Sequence, residues 1–176
     1  MLVAVSVFGW LAWTSRSEPG IGRVAGPRPI NTSASSIPDE QFELMSQFEA
    51  PAYHTQPGAP KAFQDAMARY GREDYSGAAA ALRAISDAQP GFAAAKFYLG
   101  ISLLLAGDRI AGIQELRTLA TAGDSPYLER ARFYLAKGLI AEHDIPRAQE
   151  QLEDVVAQHG DLEKQASALL NQIRAS

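Results

Sequence analysis

From Lys61 onward, apolar residues recur every three to four positions, the spacing that draws one stripe along an α-helix. No stretch alternates apolar and polar positions with the β-branched residues a strand favours, so a sheet is not expected. Turn signals cut the stripe at short intervals, at residues 71–73, Gln89-Pro90-Gly91, Ala106-Gly107-Asp108, residues 122–126, Glu142-His143-Asp144 and His159-Gly160-Asp161. The pattern predicts about seven helices, at 61–71, 75–88, 92–106, 109–122, 126–142, 145–158 and 161–174. The fold class expected from this is all-α.

The first 60 residues read differently. Residues 1–14, MLVAVSVFGWLAWT, carry no charge and are continuously apolar. The run is shorter than the roughly 20 residues a spanning helix needs. It reads as a membrane anchor, as the second half of a longer membrane helix, or as the apolar core of a signal segment. Against the signal reading, no Lys or Arg precedes it, and Ala12-Trp13-Thr14 is a poor cleavage site. Arg16, Arg23 and Arg28 follow it and would favour a cytoplasmic C-terminal side. Residues 15–60 form a linker holding seven of the ten prolines and too few large apolar residues to offset ordering entropy. Within it, residues 37–53, IPDEQFELMSQFEAPAY, place Phe42, Met45 and Phe48 three apart. This island is either a strap on the folded domain, with Phe48 and Tyr53 packed on helix 61–71 or the adjacent groove, or a motif that docks a partner. The organisation expected is an apolar segment 1–14, a linker 15–60 and a helical domain 61–176.

Two phrases inside the helical region are nearly the same. KFYLGISLLLAGD occupies 96–108 and RFYLAKGLIAEHD occupies 132–144. Leu99, Gly100, Leu103, Gly112, Leu116 and Asp124 return 36 positions later as Leu135, Ala136, Leu139, Ala148, Leu152 and Gly160. An earlier copy shows in Asp74-Tyr75, Ala78, Leu82 and Pro90. Its first helix, with Phe63, Ala66, Met67 and Tyr70, reads as about one residue out of step. A pair of short amphipathic helices cannot bury its stripes alone, whereas stacked pairs can. Small residues beside each Leu, and at Gly112 and Ala148, let the two helices of a pair approach closely.

Leu99-Gly100, Leu103, the Gly107-Asp108 turn, Ala78, Ala148 and Pro90 resemble the tetratricopeptide repeat pattern over residues 61–160, with 161–174 as a closing helix. Departures are Lys96 and Arg132, where an aromatic is usual, and Asp124 and Gly160 in place of a closing proline. The resemblance implies a right-handed solenoid of about three repeats whose concave face binds peptides or proteins. More loosely, the apolar segment, linker and repeats are similar to the outer part of bacterial membrane-anchored anti-sigma factors, without their zinc-binding domain. That resemblance implies a regulatory role as the alternative to a plain interaction module.

Composition narrows the chemistry. A net charge of −4 disfavours a nucleic-acid partner. The absence of cysteine excludes disulfides, cysteine–metal sites and a lipid-attachment cysteine after the apolar run. His54, His143 and His159 are the only histidines, and the last two fall at helix ends, where a loop or dipole role is usual. Glu150, Glu153 and Asp154 read as solvated surface. No catalytic residue, metal ligand, cofactor or small-molecule substrate is expected. Of each Phe-Tyr pair, 97–98 and 133–134, one ring should fill the seam and the other line the inner face. Phe97, Ile101, Leu104, Phe133, Lys137 and Ile140 are the residues expected to line a partner-binding groove. The function expected is non-enzymatic protein or peptide binding at the cell envelope, with the helical domain on the extracytoplasmic side of a bacterial-type membrane or, in the orientation the three arginines favour, on its cytoplasmic side.

Overall fold

The structure, a computed structural model, describes residues 45–53, 58–123 and 125–175. These lie in one compact unit, Ser35–Ser176. The apolar run 1–14, Arg16, Arg23, Arg28, the linker up to residue 44 with Phe42, and His54 lie outside the described residues. Among the described residues, helices α1 (Lys61–Tyr70), α2 (Tyr75–Ala88), α3 (Ala93–Leu105), α4 (Arg109–Thr121), α5 (Leu128–Ala141), α6 (Ile145–Ala157) and α7 (Glu163–Ala175) follow one another with no strand between them. Each expected helix is present, its ends within two residues of the sequence reading. Each packs against the next in sequence, and α3 also touches α5, which gives a solenoid of helical hairpins. Among the described residues, no helix is long and apolar enough to cross a membrane.

The hairpin turns show why the phrase repeats. Glu73, Gly107 and His143 take left-handed φ values of 62°, 90° and 59°. The next residue in each case is an aspartate whose N–H reaches back to the previous helix: Asp74 to the Arg69 carbonyl, Asp108 to that of Leu103, and Asp144 to that of Leu139, at 3.1, 2.9 and 2.8 Å. Each is the six-residue closure of a Schellman-type stop. The same aspartates then cap the second helix of the pair, accepting from the N–H of Gly77, Ala111 and Arg147 at 2.9, 3.3 and 3.4 Å. One short turn thus ends one helix and starts the next. His143 and His159, the latter at φ 52°, are turn residues.

Close approach at the α3–α4 seam follows the small residues. A Cβ on Gly100 would sit 2.7 Å from Leu116 Cγ, and one on Gly112 would sit 2.8 Å from Leu104 Cγ and 2.9 Å from the Gly100 carbonyl. In the next repeat Ala136 and Ala148, and in the previous one Ala66 and Ala78, hold the same two positions and are fully buried. Gly138 plays a further part that the repeat pattern did not reveal, since its Cβ would meet Ile113 of α4 at 2.8 Å. Leu99, Leu135, Leu82, Leu116 and Leu152 fill the centre, each 2% exposed or less.

The first repeat needs correcting. Phe63, Ala66, Met67 and Tyr70 stand 34 residues before Phe97, Gly100, Ile101 and Leu104, and all eight are buried. The first helix is therefore in step. The interval grows to 36 because the α4–α5 connection, residues 122–127, is two residues longer than the α2–α3 connection, residues 89–92. At the far end, Glu129 of α5 accepts from the Leu162 N–H at 2.7 Å, satisfying a donor just before α7 begins.

Candidate peptide-binding groove

The first helices of the three pairs, α1, α3 and α5, present one face together, and a non-helical stretch of the chain's own linker lies on it. Residues 47–53 carry neither helix nor strand. Met45, just before them, is 4% exposed, and Phe48 and Tyr53 are half-buried against the core. Gln47, Glu49, Ala50 and Ala52 point outward.

Three tyrosines, one from each pair, hold this strap by its main chain. Tyr134 Oη donates to the Glu49 carbonyl at 3.2 Å, Tyr70 Oη to that of Pro51 at 3.2 Å, and Tyr98 Oη to that of Ala52 at 3.4 Å. Burial raises the pKa of Tyr98 to about 12, and nearby Tyr127 adds to the effect. Burial pushes Tyr70 and Tyr134 up as well. All three hydroxyls are therefore protonated donors at neutral pH. A row of O–H donors reads carbonyls and asks nothing of backbone N–H groups. Proline is thus compatible with the site, and Pro51 is one of the residues held.

Side chains of the strap add two anchors. The Tyr53 ring meets Phe63 and Tyr98 edge-on, with centroids 5.8 and 5.5 Å apart. Phe48 lies beneath the Lys137 ammonium, 5.8 Å from its ring centroid, a cation–π contact near the outer limit of that interaction. Burial lowers the Lys137 pKa from its ordinary value, and the Glu49 carboxylate opposes the shift. Beside Phe48 runs a cavity of about 330 Å³ lined by Leu104, Leu105, Arg109 and Ala141. Burying an aromatic or a Met here contributes about 1.5–3 kcal/mol each before ordering costs.

Of the six residues expected to line the groove, Lys137 and Leu104 meet the strap or its cavity. Phe97, Ile101 and Ile140 lie in the core at 1% exposure or less, and Phe133 at 7%. The division within each Phe-Tyr pair is the reverse of the expectation, since the phenylalanine goes inward and the tyrosine hydroxyl reaches the groove. Phe97 is enclosed by aromatics, with Tyr98 and Tyr127 both 5.1 Å away. Periodicity could not have made this choice. Every position of α3 from Ala94 to Leu104 except Lys96 is buried, so the helix has no clean stripe. The repeat could not make the choice either, since Phe97 returns as Phe133 just as Tyr98 returns as Tyr134.

Of the carboxylates singled out in the sequence, Asp154 meets Arg132 and Glu153 meets Arg174, both at 2.5 Å, while Glu150 is exposed. A cavity of about 470 Å³ between α4, α5 and α6 is lined by Arg117, Arg132 and Arg147 but also by Glu150 and Asp154, so its charge is mixed. Among the described residues, no three His, Asp or Glu side chains gather as a metal site.

No protein-family model and no curated protein sequence matches the chain. Solved structures do. The type III secretion translocator chaperone SycD of Yersinia enterocolitica is similar at a TM-score of 0.59 and 16% identity, over 65% of this chain and 82% of that one. SycD in complex with a peptide of the translocator YopD matches at 0.58 and 16%, over 65% and 91%. A chain of the CopN–Scc3 complex matches at 0.55 and 16%, over 80% and 87%. At this identity the likeness shows the fold, a tetratricopeptide-like helical array.

Proposed function

We propose that the chain is a non-enzymatic binding module that captures an extended segment of a protein partner on the face built by α1, α3 and α5. The observation that carries this reading is the tyrosine row, in which hydroxyls from three successive repeats donate to the carbonyls of one peptide segment. A chain of similar fold has been solved with a peptide of another protein, in keeping with that use of the architecture. The apolar run 1–14 would hold the module at a cell envelope.

An array of synthetic 15-residue peptides probed with the full chain tests the reading. Bound sequences should be rich in aromatics and tolerant of proline. The double variant Tyr98→Phe, Tyr134→Phe should bind them roughly tenfold more weakly, the value of two lost hydrogen bonds. Unchanged binding by that variant would place recognition elsewhere on the molecule.

A further inference from the structure

We infer that residues 45–53 are a built-in stand-in for the partner, which an incoming segment of the same chemistry must displace. The inference rests on the groove reading above and adds the partner's chemistry and its control. Three features set the strap apart from a permanent part of the core. Its hydroxyl–carbonyl bonds, at 3.2 to 3.4 Å, are longer than the 2.5–3.0 Å usual for O–H donors. Tyr53 Oη is buried with no hydrogen-bond partner, so the strap fills its aromatic socket with the less suitable of two possible rings. Four of its nine residues, Gln47, Glu49, Ala50 and Ala52, are exposed, and of these Glu49 and Ala52 are hydrogen-bonded to the face through their carbonyls. The strap is therefore seated mainly because it is tethered. A short linker supplies a local concentration on the order of millimolar, which lets a mediocre segment exclude better ones that are dilute.

The seat also specifies what displaces it. The partner segment carries an apolar side chain at the Met45 place and is non-helical from there on, with an aromatic at the place of Phe48 beneath Lys137, an acidic residue next to it as Glu49 is, and a second aromatic at the place of Tyr53. A phenylalanine in that last position fits better than the strap's own tyrosine, because it leaves no orphaned hydroxyl. Proline between the two aromatics is accepted, since only carbonyls are read.

The test uses a fluorescent synthetic peptide of residues 42–56 and the full chain. Wild type should bind it weakly. Phe48→Ala, which loosens the tethered copy, should bind it at least tenfold more tightly. Tyr53→Phe, which improves the tethered copy, should bind it several-fold more weakly than wild type. Adding Tyr98→Phe and Tyr134→Phe to Phe48→Ala should remove the gain. Equal, tyrosine-dependent binding by wild type, Phe48→Ala and Tyr53→Phe would keep the groove as a binding site and overturn displacement. Failure of all three to bind the peptide, together with loss of helical signal in Phe48→Ala, would make the strap a structural element and overturn both readings.

Discussion

The α3–α4 seam and the strap bury apolar surface in the same molecule by opposite means. At the seam two backbones meet so closely that neither Gly100 nor Gly112 has room for a methyl group. At the strap the contacts are a few edge-on rings, with centroids 5.5 and 5.8 Å apart, hydrogen bonds longer than usual and a buried hydroxyl without a partner. The seam is complementary on both sides because both sides repeat, and each copy of the turn and the small-residue pair constrains the other. The strap has no repeat to match. The contrast separates what makes the array fold from what is set on its face.

The largest effect should come from closing the seam. Gly100→Leu puts a branched side chain where Leu116 already stands, and the Leu116 side chain is fully buried with the Gly112 carbonyl close behind, so it has little room to yield. Overpacking of this kind costs about 3 kcal/mol or more. That corresponds to a drop of roughly 10 °C in thermal midpoint, and Gly112→Leu should match it. Midpoints within a degree or two of wild type for both variants would refute the proposed pairing of α3 with α4.

Phe48→Ala should do less. It removes one half-buried ring and a marginal cation–π contact, a loss of about 1–2 kcal/mol. The helical circular dichroism signal should be unchanged and the midpoint should fall by a few degrees. Amide exchange should quicken at residues 45–53 and stay slow at Leu99 and Leu116. A loss as large as that of Gly100→Leu would erase the distinction between seam and strap.

These expectations separate what could be read in the chain from what could not. The helices and the turn aspartates were legible because each is written three times, and a repeat reports its own register. The left-handed turn at His143 explains a histidine that composition could only call a loop residue. The groove was half legible. Lys137 and the aromatic pairs pointed to it, but the choice between Phe97 and Tyr98 depends on which side of an almost wholly buried helix faces the strap. That is fixed by the stacking of α1, α3 and α5, not by any period within α3. The apparent slip in the first repeat disappears once its first helix is set against α3 at the same 34-residue interval that separates Ala78 from Gly112 and Leu82 from Leu116.

Raising the pH gives a graded test of the tyrosine row. Tyr98 ionises near pH 12 in the folded chain, against about 10 for a free phenol, and Tyr70 and Tyr134 are shifted the same way. Between those values the native state binds more protons than the unfolded one, so stability falls as pH rises. The contribution is fully present below pH 10 and is lost as pH climbs through 12. Lys137 works in the opposite direction, because burial lowers its pKa and the cost of its charge is relieved as it deprotonates. Three phenols outweigh one amine, so urea midpoints should hold steady up to about pH 10 and decline above it. Tyr98→Phe should flatten part of that decline, and a decline untouched by the substitution would separate the row from the alkaline transition.

The smallest effect expected is a gain. Glu73 occupies the left-handed position that Gly107 fills in the next repeat, at φ 62° against 90°. A side chain there costs about 1–2 kcal/mol relative to glycine, part of which glycine returns through the greater freedom of its unfolded state. Glu73 is exposed, so its replacement opens no cavity. Glu73→Gly should therefore stabilise the array by about 0.5–1 kcal/mol, or a few degrees in thermal midpoint. The Asp74 cap and the strap should be unaffected, because the turn keeps its path. The reciprocal Gly107→Glu should lose a similar amount, since it installs in the middle repeat the strain removed from the first. Opposite shifts of comparable size would show that the two turns are one structure written with different residues. A loss on Glu73→Gly would mean that the glutamate supports its turn in a way glycine cannot.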